Sequence, residues 1–158
     1  MFIGWGDIGD LSLFSSKREI KDAMRVTYDE NNSFKNAGHA AWQFVNELKI
    51  GDIIFAKRGN NQIIGRGVVE SDYKFDSSLE YDFFNYRKVS WTDIGEWDIK
   101  SQLAQKTLTD ITAYTEDVNE INSLFDDIDQ EDDEENQITF PTYTKNEFLN
   151  EVFINQSE

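Results

Sequence analysis

The sequence predicts an α+β fold, in which a small β-barrel is flanked by helices and followed by an acidic linker and a C-terminal helix. Two segments, at 16–28 and 36–48, carry apolar residues at helical spacing. Beyond residue 50, runs of β-branched and aromatic residues are bounded by glycine and asparagine, a pattern typical of strands. Aromatic residues make up 14% of the 158 residues, which is enough rigid material for a packed core.

The first third of the chain is predicted to hold one short strand and two helices. Residues 1–6 form the strand. Ser16 and Glu19 have the spacing of a capping box, which begins the helix at 16–28. The second helix runs over 36–48, where apolar residues repeat every three or four positions.

A β-hairpin is predicted next. A strand at 53–56 leads into the turn sequence Gly59-Asn60-Asn61, and residues 62–70 return. Gly65 and Gly67 interrupt the return strand, which indicates a bulge or a close approach of other groups to the backbone.

Two further strands complete the predicted barrel. Alternation over 81–91 indicates a long strand with Trp91 on its core face, and a turn follows at 92–95. The β-branched segment 107–112 is interpreted as the closing strand.

The remaining chain is predicted to lie outside the barrel domain, which we place at 1–115. Residues 116–137 form an acidic linker, with a short helix at 117–125. Residues 138–158 contain an amphipathic helix at 145–155.

The amino-acid composition argues against several classes of protein function. The chain has no cysteine and one histidine, which argues against thiol chemistry, a zinc site and a His-dependent catalytic triad. We therefore expect no enzyme activity, no metal and no cofactor. No apolar run reaches membrane-spanning length and no signal peptide is recognisable, so the expected location is cytoplasmic, without a membrane partner.

The net charge of −16 is unevenly distributed. Residues 116–135 hold eleven acidic residues and no basic one, whereas residues 1–115 have a net charge of only −3. The total charge therefore does not exclude a nucleic-acid partner, although no long basic stripe supports one.

Tryptophans are the candidate walls of a base-binding pocket, because nucleobases stack on aromatic faces. Trp5, Trp42 and Trp97 are the candidates, and for each the alternative is an ordinary place in the core. Asn36 and His39, near the start of the second helix, could read a base edge, or could be an N-cap and a solvent-facing imidazole.

Basic residues on the predicted strands are candidates for holding a nucleic-acid backbone. They are Lys57, Arg58, Arg66, Arg87 and Lys88. An ordinary mixed-charge barrel surface explains them equally well.

Three blocks in order, residues 42–73, 86–91 and 106–112, carry a family resemblance. They show a helix, a Gly-Asp pair entering a strand, a Gly/Asn hairpin and Ile-Gly-x-Gly-x-Val in the return strand. This pattern resembles the N-terminal domain of McrB-type restriction GTPases, which is similar to the EVE and YTH modules of the PUA-like superfold. The segment 145–153 resembles the lead-in to the AAA+ motor of those proteins.

The resemblance implies a targeting domain that binds a modified base, such as N6-methyladenine or a methylated cytosine, in an aromatic pocket by base flipping. It implies modified DNA as the partner, with RNA not excluded, and a McrC-type nuclease that acts through the motor domain. A protein-interaction or regulatory domain of an AAA+ NTPase, without nucleic-acid binding, is the alternative; the acidic segment and the amphipathic tail favour it.

Overall fold

The computed structural model describes residues 1–79 and 83–126, in which short helices precede most of the strands. The strands are β1 (Phe2–Ile3), β2 (Ile53–Arg58), β3 (Gln62–Val69), β4 (Lys74–Phe75), β5 (Asn85–Tyr86) and β6 (Val89–Asp98). The helices are α1 (Lys17–Thr27), α2 (Lys35–Trp42) and α3 (Thr115–Asp126), with a π-helical turn, Gln43–Glu47, directly after α2 and short 3-10 turns at Gly6–Ile8 and Leu11–Leu13.

The predicted capping box begins α1. The Ser16 hydroxyl accepts a hydrogen bond from the Glu19 N–H at 3.2 Å, and the Glu19 carboxylate accepts one from the Ser15 N–H at 2.7 Å. Together these bonds satisfy N–H groups that the first helical turn leaves without partners. The predicted helix at 16–28 is confirmed.

The larger sheet has the strand order β2-β3-β6 and is antiparallel throughout. The predicted hairpin joins β2 to β3, and Gly59 takes the left-handed φ of 62° that the turn requires. The register of β3 against β6 shifts between Arg66 and Gly67, as the glycine pattern indicated. A Cβ atom on Gly67 would lie 2.7 Å from the Ser90 carbonyl oxygen, so only glycine fits there.

The smaller sheet has the order β1-β5-β4 and is tied to the rest of the domain by a buried polar contact. Asn85, on β5, is fully buried, and its Oδ1 lies 2.5 Å from the Tyr73 hydroxyl. The Leu11 N–H donates to that hydroxyl at 3.0 Å. Burial, the largest cause, raises the pKa of Tyr73 and keeps its hydroxyl protonated.

Two hydrophobic clusters make up the core. The larger one packs α1 and α2 against the sheets, and its fully buried side chains include Leu11, Ile20, Met24 and Ile54. The smaller one lies under α3 and consists of five buried side chains: Phe55, Ile63, Ile99, Ile121 and Phe125. Residues of α3 therefore belong to the folded domain, which extends past the predicted boundary at residue 115.

Within residues 1–79 and 83–126, the strands do not form the predicted closed barrel. The strands there form two small antiparallel sheets, and the predicted closing strand at 107–112 is irregular. Its backbone bonds are local: the Thr112 N–H donates to the Asp110 side chain, and the Tyr114 N–H donates to the Ile111 carbonyl. Leu108 is buried in the larger cluster and keeps this segment on the surface of the core.

The predicted turn at 92–95 is also wrong, because those residues continue β6 without interruption. Gly95 belongs to the strand: the Trp97 indole lies so close that a Cβ on Gly95 would be 2.7 Å from its Cη2 atom. The predicted strand at 81–91 is divided into β5 and β6 at Arg87 and Lys88. The predicted helix at 145–155 and the second half of the acidic linker, residues 127–137, lie outside the described residues.

No helix within 1–79 and 83–126 has the length and apolar character needed to cross a bilayer.

Candidate functional site

The exposed side of α2 brings together three of the five predicted pocket residues. Asn36, His39 and Trp42 follow one another at three-residue spacing, so each is a surface neighbour of the next. Asn36 is exposed, whereas His39 and Trp42 are half-buried, and Trp42 packs one side against the larger hydrophobic cluster. We call these three residues the α2 row. It offers an amide, an imidazole and an indole on one surface.

Three lysines from two other segments, α1 and the irregular segment after β6, lie near α2. Lys17 of α1 forms a 3.2 Å ion pair with Glu47, and both groups act electrostatically on His39. Lys106, from the irregular segment after β6, acts on the same imidazole. The aliphatic stem of Lys21 packs directly against Gly38 in α2. The sequence alone did not single out these lysines, because only folding brings residues 17, 21 and 106 to one helix.

His39 is held towards its neutral form. Burial lowers its pKa most, Lys17 and Lys106 lower it further, and Glu47 acts in the opposite direction. A neutral imidazole has one N–H donor and one nitrogen acceptor, and it can therefore both donate a hydrogen bond to a ligand and accept one from it.

We expect an NMR titration to place the His39 pKa below its ordinary value of about 6.5. Lys106→Gln should raise that pKa, because it removes a positive charge, and Glu47→Gln should lower it further. Because the His39 pKa is lower in the folded state than in the unfolded state, protonation of His39 favours unfolding. The contribution of neutral His39 to the free energy of unfolding is therefore complete above about pH 6.5 and is lost as the pH falls towards the folded-state pKa. A pKa at or above the ordinary value, unchanged in Lys106→Gln, would contradict this arrangement.

Trp5 lies at the beginning of α2, within an aromatic cluster that also contains Tyr28 and Phe34. The Trp5 ring meets Tyr28 edge-on at 5.3 Å between centroids and Phe34 at 5.7 Å. Trp5 and Phe34 both have left-handed backbone conformations, with φ of 74° and 46°. Non-glycine residues adopt this conformation at a cost, and here the packed rings hold it. Because the rings touch one another, no base fits between them.

Trp97 does not join the predicted pocket. It packs against the smaller cluster, with its ring 4.8 Å from that of Phe125, whereas Trp5 and Trp42 pack against the larger cluster. The Trp97 indole therefore packs beside α3.

Arg87 cannot hold a phosphate, which corrects the prediction made from its charge. Only 3% of the residue is exposed, and the guanidinium donates to the carbonyls of Phe44 at 2.7 Å, Val45 at 2.9 Å and Ser71 at 3.1 Å. The first two carbonyls belong to the π-helical turn after α2, where helix geometry leaves carbonyl oxygens without partners. Arg87 therefore caps the C-terminal end of that helical turn. Burial lowers its pKa.

The other predicted phosphate ligands are largely engaged within the protein. Lys57 is buried, and its Nζ donates to the Gly59 carbonyl at 2.6 Å. Arg58 forms a 2.7 Å ion pair with Glu96, and Arg66 forms one of 2.8 Å with Asp93. The Arg66 guanidinium also lies 4.4 Å from the Phe125 ring centre. Lys88 is exposed. The arginines on the larger sheet are thus paired with carboxylates on β6 and do not form a basic face.

Residues 1–79 and 83–126 contain no group of three or more His, Asp or Glu side chains that could hold a metal ion. The side chains of the α2 row and the nearby lysines offer hydrogen bonding, stacking and positive charge.

The described residues define a small α+β domain with an aromatic and cationic helix face. The chain belongs to the family described as "Domain of unknown function (DUF8426)", which matches residues 1–117. No curated protein and no solved structure matches the chain. The family match ends within α3, before Ile121 and Phe125, the two α3 residues of the smaller cluster.

Proposed function

We propose that this domain reads a modified base in nucleic acid, and that the α2 row is the surface on which the base is held. The observation that carries the proposal is the convergence on one helix of an indole, a neutral imidazole, an amide and three lysines, two from α1 and one from the segment after β6. Stacking on an indole, hydrogen bonds to a base edge and charge against phosphates are the three elements of single-base recognition.

In this proposal a flipped or single-stranded base stacks on the exposed part of Trp42, beside His39 and Asn36. Lys17, Lys21 and Lys106 face the phosphates on either side. The aromatic cluster of Trp5, Tyr28 and Phe34 has a supporting role, because it fixes the start of α2.

The wider proposal follows from the resemblance to McrB-type restriction GTPases. The fold would be a PUA-like variant of the EVE or YTH type, and the domain would direct a GTP-driven motor and its McrC-type nuclease partner to modified DNA in the cytoplasm. The chain itself would have no catalytic role.

The test is titration of fluorescent duplexes that contain N6-methyladenine, 5-methylcytosine or no modification. We expect one modified duplex to bind more tightly than the unmodified duplex. Trp42→Ala should bind that modified duplex about tenfold more weakly than the wild type, since stacking contributes about 1–3 kcal/mol per base. His39→Gln, which leaves the core untouched, should reduce the preference for the modified base. Equal and feeble binding of all duplexes by all variants would refute the proposal.

Lysine variants test whether nucleic-acid binding depends on the positions of the lysines near the α2 row or only on positive charge anywhere on the domain. Lys106→Gln should weaken binding to every duplex and reduce the slope of log K against log salt by about 1. Lys100→Gln is the matched control, because Lys100 is also exposed but lies beside Glu120 of α3. If both variants lose affinity equally, the lysines around the α2 row have no special position.

A further inference from the structure

An open groove of about 560 Å³ lies at the end of α1 and along the loop that leads to α2. Its lining combines carboxylates, an aromatic ring and an aliphatic side chain: Asp22, Arg25, Val26, Tyr28, Asp29 and Glu30. The α2 row contributes none of these residues, so the groove is a surface separate from it.

The apolar walls of the groove are held in place but left open to solvent. Tyr28 is 39% exposed, and its ring is supported from behind by Trp5 at 5.3 Å and Phe34 at 6.4 Å. Val26 is 88% exposed, although it is an aliphatic residue on the last turn of an amphipathic helix. A ligand in this groove would cover both side chains, which is favourable for apolar surface.

The charge of the groove favours a cation. Three of its six lining residues are acidic and one, Arg25, is basic. The Arg25 guanidinium donates through Nε and Nη2 to the Glu30 carbonyl, both at 3.2 Å, and thereby shapes the loop. Asp22 lies 3.6 Å from Arg18, but both side chains are more than half exposed, so this pair is screened by water.

We propose that this groove binds an arginine side chain presented by a partner polypeptide. A guanidinium can stack on the Tyr28 ring and at the same time form a two-bond contact with a carboxylate, which an ammonium group cannot do. A free small cation would leave Val26 in water, whereas an apolar neighbour of the arginine in a peptide would cover it. This surface goes beyond the proposed base reading and does not depend on it.

The experiment uses two blocked Leu-Arg-Leu tripeptides that differ only by citrulline in place of arginine. Binding to the full chain is followed through the Val26 methyl and Tyr28 ring resonances. We expect saturable shifts with the arginine peptide and none with the citrulline peptide. Asp22→Asn with Glu30→Gln should weaken binding about fivefold, as expected for the loss of two exposed charge contacts.

The matched control is Glu116→Gln with Asp117→Asn, which removes the same charge from the first turn of α3. It should leave the affinity unchanged, and thermal unfolding checks that all variants are folded. Equal binding of both peptides, or an equal loss in both double variants, would overturn the proposal. Blocked arginine alone binding as tightly as the peptide would identify a small-cation site and overturn the polypeptide as occupant. Since no arm contains nucleic acid, failure here is distinct from failure of base reading.

Discussion

Arg87→Ala is expected to lower the free energy of unfolding by about 3–5 kcal/mol, the largest effect that we expect from a single substitution. The guanidinium donates hydrogen bonds to three backbone carbonyls that come from segments 16–43 positions away along the chain. Without it, the end of the α2 region and the segment after β3 lose a shared partner, and buried carbonyl oxygens are left without donors. Urea unfolding followed by tryptophan fluorescence measures the change.

Lys88→Ala is the control, since Lys88 is the next residue, carries the same charge and is exposed. Its effect should stay within about 0.5 kcal/mol. Arg87→Lys keeps the charge but loses the forked geometry, so we expect an intermediate loss that remains measurable if the alanine variant does not fold. A loss below about 1 kcal/mol for Arg87→Ala would show that the buried hydrogen bonds do not hold the fold.

Phe125→Ala is expected to cost about 3–4 kcal/mol, the usual cost of removing a buried phenyl ring. Phe125 is 3% exposed, contacts Phe55 at 6.3 Å and Trp97 at 4.8 Å between ring centres, and lies under Arg66. The variant should also change Trp97 fluorescence, because the indole gains water. Denaturant unfolding with simultaneous fluorescence and circular dichroism detects both effects.

Asn119→Ala provides a control on the exposed side of α3, where we expect no loss of stability. A chain that ends at residue 117 should be less stable than the Phe125→Ala variant, because the truncation removes both Phe125 and Ile121 from the smaller cluster. If that shortened chain unfolds at the same denaturant concentration as the full chain, α3 is not part of the folded domain.

The elements that depend on short-range interactions were predictable from the sequence. Ser16 and Glu19 are three residues apart, so their capping bonds could be recognised before folding was considered. Gly59 supplies the left-handed residue of the hairpin, and Gly65 and Gly67 indicated the irregular pairing with β6. Glycine-rich turns and helix caps involve only a few neighbouring residues, and their sequence patterns are correspondingly clear.

The errors concerned segments whose amino-acid composition is typical of one structure while the fold gives them another. The turn predicted at 92–95 was wrong because Gly95 makes room for the Trp97 indole and does not reverse the chain. The segment 107–112 has strand-forming residues, but the Thr112 and Tyr114 N–H groups bond to residues two and three positions before them, as in a turn. β-propensity depends on the surroundings in which a residue packs, and those surroundings are tertiary.

By itself, the sequence determined the α+β class, both of the first two helices, the central hairpin and the spacing that puts Asn36, His39 and Trp42 on neighbouring positions of one helix. Only the tertiary structure decided which charges face water: Arg87 is enclosed among carbonyls, Arg66 is paired with Asp93, and Lys106 lies near His39. The physical reason is that helix and turn formation are set by neighbours a few residues apart. The environment of a long charged side chain is set by whatever the fold places around its end, and that can come from any part of the chain.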